Sequence, residues 1–125
     1  MNIRNFTAHP ICFYRESDVN FVCNIRKYVV KEGVEPYLVV ESEGMLSVQF
    51  GNEKIADKPV PIYYKVVVSS DRLPECDRND MIVVSAMYSL VYSETVKDRP
   101  ALYCVKDTVY DNNGKPVGCL GLVKV

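Results

Sequence analysis

Residues 62 to 68 read Ile-Tyr-Tyr-Lys-Val-Val-Val, a run that argues strongly against a helix. β-Branched and aromatic side chains lose rotamer freedom against the preceding helical turn, and they pack well on a pleated sheet. Shorter runs of the same kind recur along the chain: Asn2–Phe6, Ile11–Tyr14, Phe21–Ile25, Tyr28–Val30, Tyr37–Val40, Met45–Phe50, Met81–Val84, Leu102–Val105, Thr108–Tyr110 and Val117–Val123. Turn formers separate them. Thr7-Ala8-His9-Pro10 is one such turn, because a residue before proline is pushed away from the helical region. Asp111-Asn112-Asn113-Gly114 is another, since Asn-Gly tolerates the positive φ of a tight hairpin. Gly118 and Gly121 in the last strand mark places where a second backbone can come close.

One window departs from this pattern. Ser85 is a good N-cap, and Met87, Leu90 and Val91 follow at helical spacing, with Tyr88 and Tyr92 sharing a neighbouring face. The spacing predicts a helix from about residue 86 to 96, ending before Pro100. The expected fold is therefore α+β. It is a single β-rich domain over residues 1–125 with a mostly antiparallel sheet and one main helix at 86–96. A chain of 125 residues, 48% hydrophobic, can bury a core without disulfide or metal staples.

Composition removes several function classes. The formal net charge of −1 lacks the basic excess of a protein that holds DNA or RNA backbones. No apolar run approaches the ~20 residues of a membrane span, and the polar opening Met1–Asn5 does not read as a secretory signal, so a cytoplasmic protein is expected. Five cysteines, odd in number and without a CxxC pair, suggest neither a disulfide framework nor a zinc site. Cys12, Cys23 and Cys104 lie in apolar runs and read as small buried hydrophobes. With His9 as the single histidine, a multi-histidine metal site within one chain is impossible, and His9 itself, before a proline, reads as a structural anchor. No glycine pattern cradles a phosphate.

The polar stretch from Asp71 to Asp80 reads as a solvated mixed-charge loop, with Arg72 and Arg78 able to meet an anion. Asp77 and Asp80 could in principle hold a metal for hydrolysis, but their spacing is not diagnostic. Tyrosine is the compositional excess, nine residues with no tryptophan. Tyrosine rings near Lys106, Asp107 and Thr108 could stack on a base while a cation meets phosphate, and tyrosine serves subunit interfaces equally well.

Three segments carry a resemblance. Asn5-Phe6-Thr7-Ala8-His9-Pro10-Ile11 resembles the Asn-Leu-Thr-Pro-His-Pro-Ile/Val opening of a family of small phage and prophage proteins. Met81–Met87 resembles its strand-to-helix segment, and Asp107–Cys119 its closing hairpin, Asp-Thr-Val-Arg-Asp-x-x-Gly-x-x-x-Gly. The family is identified with the Thoeris anti-defence sponges. These bind and sequester a cyclic ADP-ribose isomer such as gcADPR, and some relatives also hold cyclic oligonucleotides.

The resemblance implies a non-enzymatic protein without cofactor or metal, acting in the cytoplasm of an infected bacterium. It implies a homo-oligomer, a dimer or a hexamer built as a trimer of dimers, with ligand pockets between subunits. Carried over, it singles out Tyr88 and Tyr92 on the helix and Asp107, Thr108 and Tyr110 on the hairpin. Tyr110 stands where the family pattern has arginine. A guanidinium grips phosphate at two points and a phenol cannot, so Arg72, Arg99 or Lys106 is expected to supply charge. The alternative is a small phage structural or interaction protein with no small-molecule ligand.

Overall fold

The computed structural model describes residues 2–93 and 101–125, without the side chains of residues 92 and 93. The elements in chain order are β1 (Ile3–Asn5), β2 (Ile11–Phe13), a 3-10 turn (Glu16–Asp18), β3 (Val19–Val22), β4 (Lys27–Val30), β5 (Leu38–Val40), β6 (Val48–Ala56), β7 (Ile62–Ser70), β8 (Met81–Val83), α1 (Ala86–Ser93), β9 (Leu102–Tyr110) and β10 (Pro116–Lys124). The sequence reading of a β-rich chain with one helix holds. The end of the expected helix, at 94–96, falls outside the described residues.

The sheet differs from the expectation of a mostly antiparallel one. Its main path runs β1-β8-β9-β10-β2-β5, and it is mixed. β1 with β8, β8 with β9, β2 with β10 and β4 with β9 are parallel. β9 with β10, β2 with β5, β3 with β4 and β6 with β7 are antiparallel. Hairpin signals speak only for consecutive strands, and the three hairpins present, β3–β4, β6–β7 and β9–β10, are all antiparallel. Except for β8 and β9, which are joined through α1, the parallel pairs join segments far apart in sequence, such as Ile3 with Met81, and leave no local signature. Being flanked by parallel neighbours explains why β8 reads as an unbroken apolar run: Ile82, Val83 and Val84 are all buried.

The path nearly closes on itself into a barrel. Asn5 bridges Ser42 just beyond β5, and the Glu43 N–H donates to the Asn5 carbonyl at 2.8 Å. Asn5 is fully buried at this seam. Its Nδ2 donates to the His9 and Val40 carbonyls at 2.8 and 3.1 Å, and its Oδ1 accepts from the Thr7 N–H and hydroxyl at 2.9 and 2.6 Å. The anchor of the opening turn is thus Asn5, which fixes the His9 carbonyl, while the His9 side chain is exposed. Phe6, Leu46, Ile82, Val84, Tyr88 and Leu102 fill one core cluster; Ile11, Phe13, Val83 and Cys119 fill another.

Ser85 caps α1 as expected, its hydroxyl accepting from the Tyr88 N–H at 3.3 Å. The buried face of the helix is not the expected stripe. Met87 and Leu90 are exposed, whereas Tyr88 and Ser89 are buried. An aromatic ring brings more apolar area than Met or Leu, and the Tyr88 hydroxyl reaches the Asp71 carbonyl at 2.8 Å, which removes the penalty for burying it.

The loop from 71 to 80 is tied to β1. The Arg4 guanidinium grips Glu43 through Nε and Nη2 at 3.1 and 2.8 Å, and its Nη1 donates to the Glu75 carbonyl at 3.0 Å. The hydrogen bond from Arg4 holds the Glu43 carboxyl below its usual range.

Candidate functional site

The closing hairpin is built as its sequence dictates. Asp111 Oδ1 accepts from the Asn113 and Lys115 N–H groups at 2.9 Å each, and Gly114 takes φ +80. β9 meets β8 along its first residues and β4 along its last, where Val109 and Tyr110 pair with Tyr28 and Val29. Between these two partners the strand bends at Asp107, which has φ +57.

A cleft of about 280 Å³ opens at that bend, lined by Ile25, Arg26, Lys27, Tyr28, Asp107, Thr108 and Tyr110. Arg26 closes the β3–β4 turn with φ +52. Among the described residues, Arg26 and Asp107 are the two non-glycine residues in the left-handed region, and both line this cleft. Such backbone costs of order 1–3 kcal/mol and gathers at binding and catalytic sites. The Lys27 ammonium lies 4.4 Å from the centroid of the Tyr110 ring. Among the described residues, neither Arg26 nor Lys27 forms an ion pair.

A larger cleft, about 610 Å³, lies on the other side of β9. It is framed by Thr7–Cys12 of the opening turn and β2, by Val105 and Thr108, and by Lys115–Cys119. Thr108 is on the wall of both clefts. Gly118 is where β10 crosses closest to β2. A Cβ there would overlap the Cys12 carbonyl oxygen and stand 2.7 Å from the Tyr14 ring. The close-approach reading therefore holds for Gly118; at Gly121 nothing lies within 4 Å of such a Cβ.

The expected site residues are not all brought together. Asp107, Thr108 and Tyr110 meet in the smaller cleft. Tyr88 does not join them: it is fully buried in the core with its hydroxyl held by Asp71, so it cannot face a ligand. Lys106, also in β9, is exposed and lines neither cleft, and Arg72, exposed in the 71–80 loop, lines neither as well. Arg99 and the Tyr92 side chain lie outside the described residues. The cations at the cleft are Arg26 and Lys27, which the sequence reading passed over. The cue available was their position in the gap between two strand-like runs, where a tight turn must fall.

The buried Asp80 has a structural role, its Oδ2 accepting from the Asp77 N–H at 3.2 Å, and the Asp77 side chain is exposed. Among the described residues no group of three His, Cys, Asp or Glu side chains is placed to hold a metal ion, and no helix is long and apolar enough to cross a membrane.

The cysteines sort by exposure, and Cys23 departs from its expected buried position: it sits exposed in the β3–β4 turn. Cys119 is buried on the wall of the larger cleft, and burial pushes its thiol up to about 11. A raised pKa keeps the thiol protonated, hence unreactive, throughout the range from pH 7 to 9. At pH 8 an alkylating reagent is expected to modify Cys23 in the native protein and Cys119 only after denaturation. Peptide mass spectrometry reads both, and rapid native labelling of Cys119 would contradict its placement.

No family model, curated protein or solved structure matches this chain.

Proposed function

We propose that this protein is a non-enzymatic anti-defence protein that binds and sequesters a cyclic nucleotide-type signal, with the cleft at the β9 bend as the anion-binding part of its site. The observation that carries this reading is the Lys27 ammonium over the Tyr110 ring, in a cleft that Arg26 also lines and where the backbone is left-handed at Arg26 and Asp107. Guanidinium and ammonium groups recognise phosphate, and a phenol ring offers a face to a base. The position where the resembled family has arginine is filled here by Tyr110 with the Lys27 ammonium over its ring. Charge lost from β9 is supplied from β4, at the same place.

The size of the clefts fits the reading. About 280 Å³ accommodates one nucleotide moiety, below the range of roughly 300–1,000 Å³ usual for whole small-molecule sites. A cyclic ADP-ribose isomer needs more wall, from the larger cleft across Thr108 or from a second chain. No general base or nucleophile is required of Asp107, whose carboxylate can accept from a ribose hydroxyl or a base amino group.

The test is a thermal-shift panel of cyclic ADP-ribose isomers, cyclic di- and trinucleotides and linear ADP-ribose, with mass spectrometry of the ligand after release. A ligand at a hundred times its Kd stabilises by about 2.7 kcal/mol, a shift of several degrees. Such a shift with intact ligand recovered is the expected result. Chemically altered ligand would make the protein an enzyme. A flat response across the panel would replace this reading with a structural or interaction protein.

A further inference from the structure

β6 and β7 form a two-stranded sheet of their own, nine residues in each strand, joined to no other strand among the described residues. Its root is fastened: the Asp71 N–H donates to the Ser47 carbonyl at 2.9 Å, Asp71 Oδ2 accepts from the Ser47 N–H at 2.8 Å, and Val48 packs on the main core. Beyond the root the ribbon is apolar and open. Tyr63, Tyr64 and Val68 are 56%, 63% and 66% exposed, and Ile55, Ile62 and Val67 are exposed as well. A lone two-stranded ribbon is marginal in water, and a long uncharged strand edge is a template for another strand.

We infer that β7 pairs edge to edge with β7 of a second copy of this chain, giving a four-stranded sheet across a two-fold axis. The two edges of the ribbon are unlike, and their chemistry selects β7. β6 carries Gly51, Asn52, Glu53 and Lys54, residues that discourage strand addition. β7 carries one charge, Lys65, and its ammonium lies 4.2 Å from the Phe50 ring of β6, drawn inward rather than guarding the open edge.

Symmetry then limits the register. A two-fold axis that makes two identical strands antiparallel stands perpendicular to the sheet, so each face of one copy continues as the same face of the other, and the pairing must be centred on a residue. Centring on Lys65 would oppose two ammonium groups, which is destabilising. Centring on Val66 would set Tyr64 against Val68, the extra residue where pairing steps from Gln49–Ser69 to Phe50–Val67. Centring on Tyr64 avoids both. It places Tyr64 against its own copy, Tyr63 against Lys65 of the second copy, and Ile62 against Val66. Aromatic and β-branched pairs of this kind are favourable across strands.

The area is in the right range. A tyrosine can bury about 150–250 Å², so the open parts of Tyr63 and Tyr64 bring on the order of 200–300 Å² per chain. The exposed valines and isoleucines of the ribbon extend this patch toward the ~800 Å² per partner of a standard interface.

Sedimentation velocity of the ligand-free protein tests the pairing independently of anything the clefts bind. The expected result is a species of even copy number, the smallest being twice the 14.2 kDa of one chain. Tyr64→Lys places two ammonium groups on the axis and should raise the dissociation constant at least about a hundredfold, with the far-UV spectrum and melting of the chain itself preserved because the position is exposed. In a Cys23→Ser background, Tyr64→Cys should give a disulfide-linked dimer under mild oxidation. A monomer at every concentration, an assembly indifferent to Tyr64→Lys, or failure of the Tyr64→Cys variant to cross-link while an assembly persists would each overturn the proposal.

Discussion

Replacing Lys27 with glutamate is expected to weaken binding of the ligand identified in the thermal-shift panel about a hundredfold, while the same reversal at Lys106 changes it less than about threefold. The two lysines lie close to the same bend of β9 but differ in what they face. Lys27 is on the cleft wall with its ammonium over Tyr110; Lys106 is exposed and lines neither cleft. Truncating a desolvated charge pair costs roughly 2–5 kcal/mol, and reversal adds repulsion, whereas a solvated charge outside the site acts only through a screened field. Isothermal titration of the two variants separates the cases. Equal losses would mean that general charge, rather than the cleft, holds the anion. Loss at Lys106 alone would place the site outside the cleft.

The second large effect belongs to the fold. Gly118→Ala is expected to destabilise the protein by about 3 kcal/mol or more, and Gly121→Ala by less than about 1 kcal/mol in either direction. Both are glycines in β10, so strand propensity is the same at both. The difference is the neighbour: at 118 the added carbon meets the Cys12 carbonyl oxygen and the Tyr14 ring, at 121 nothing. A main-chain oxygen cannot rotate away, so β2 must leave β10, and with it the pairing of Cys119 with Phe13. Urea unfolding of the two variants gives the comparison, and a Gly118→Ala protein as stable as Gly121→Ala would show that β2 and β10 are not in contact there.

What the sequence disclosed was local. Asn113-Gly114 and Asp111 announce the closing hairpin because a tight turn needs a left-handed residue and an acceptor for its freed N–H groups, and both needs are met within five residues. Ser85 announces α1 for the same kind of reason. The direction of the strands was not legible. Arg4 lies beside Ile82 and Cys119 beside Phe13 through parallel pairings whose partners are separated by most of the chain.

The candidate site was half legible. Asp107, Thr108 and Tyr110, singled out by the resemblance, line one cleft, but the charge beside them was sought elsewhere, in Arg72, Arg99 and Lys106. Arg26 and Lys27 arrive from a different hairpin, brought by the parallel contact of β4 with β9. Tyr88 was singled out by the resemblance, and helical spacing alone does not say which stripe faces inward. An aromatic ring with a reachable carbonyl displaced Met87 and Leu90 from that role.

The parallel partners set an order of events during synthesis. Ile11–Phe13 are made well before the strand they pair with in parallel, which carries residue 119; at roughly 5–20 residues per second that strand follows on the order of ten seconds later. β1 waits for β8 in the same way. The main sheet therefore cannot assemble in chain order on the ribosome. Until β10 is out, β2 is held by little besides β5 and solvent, so a nascent chain stalled before residue 102 should be cut by protease around residues 11–13.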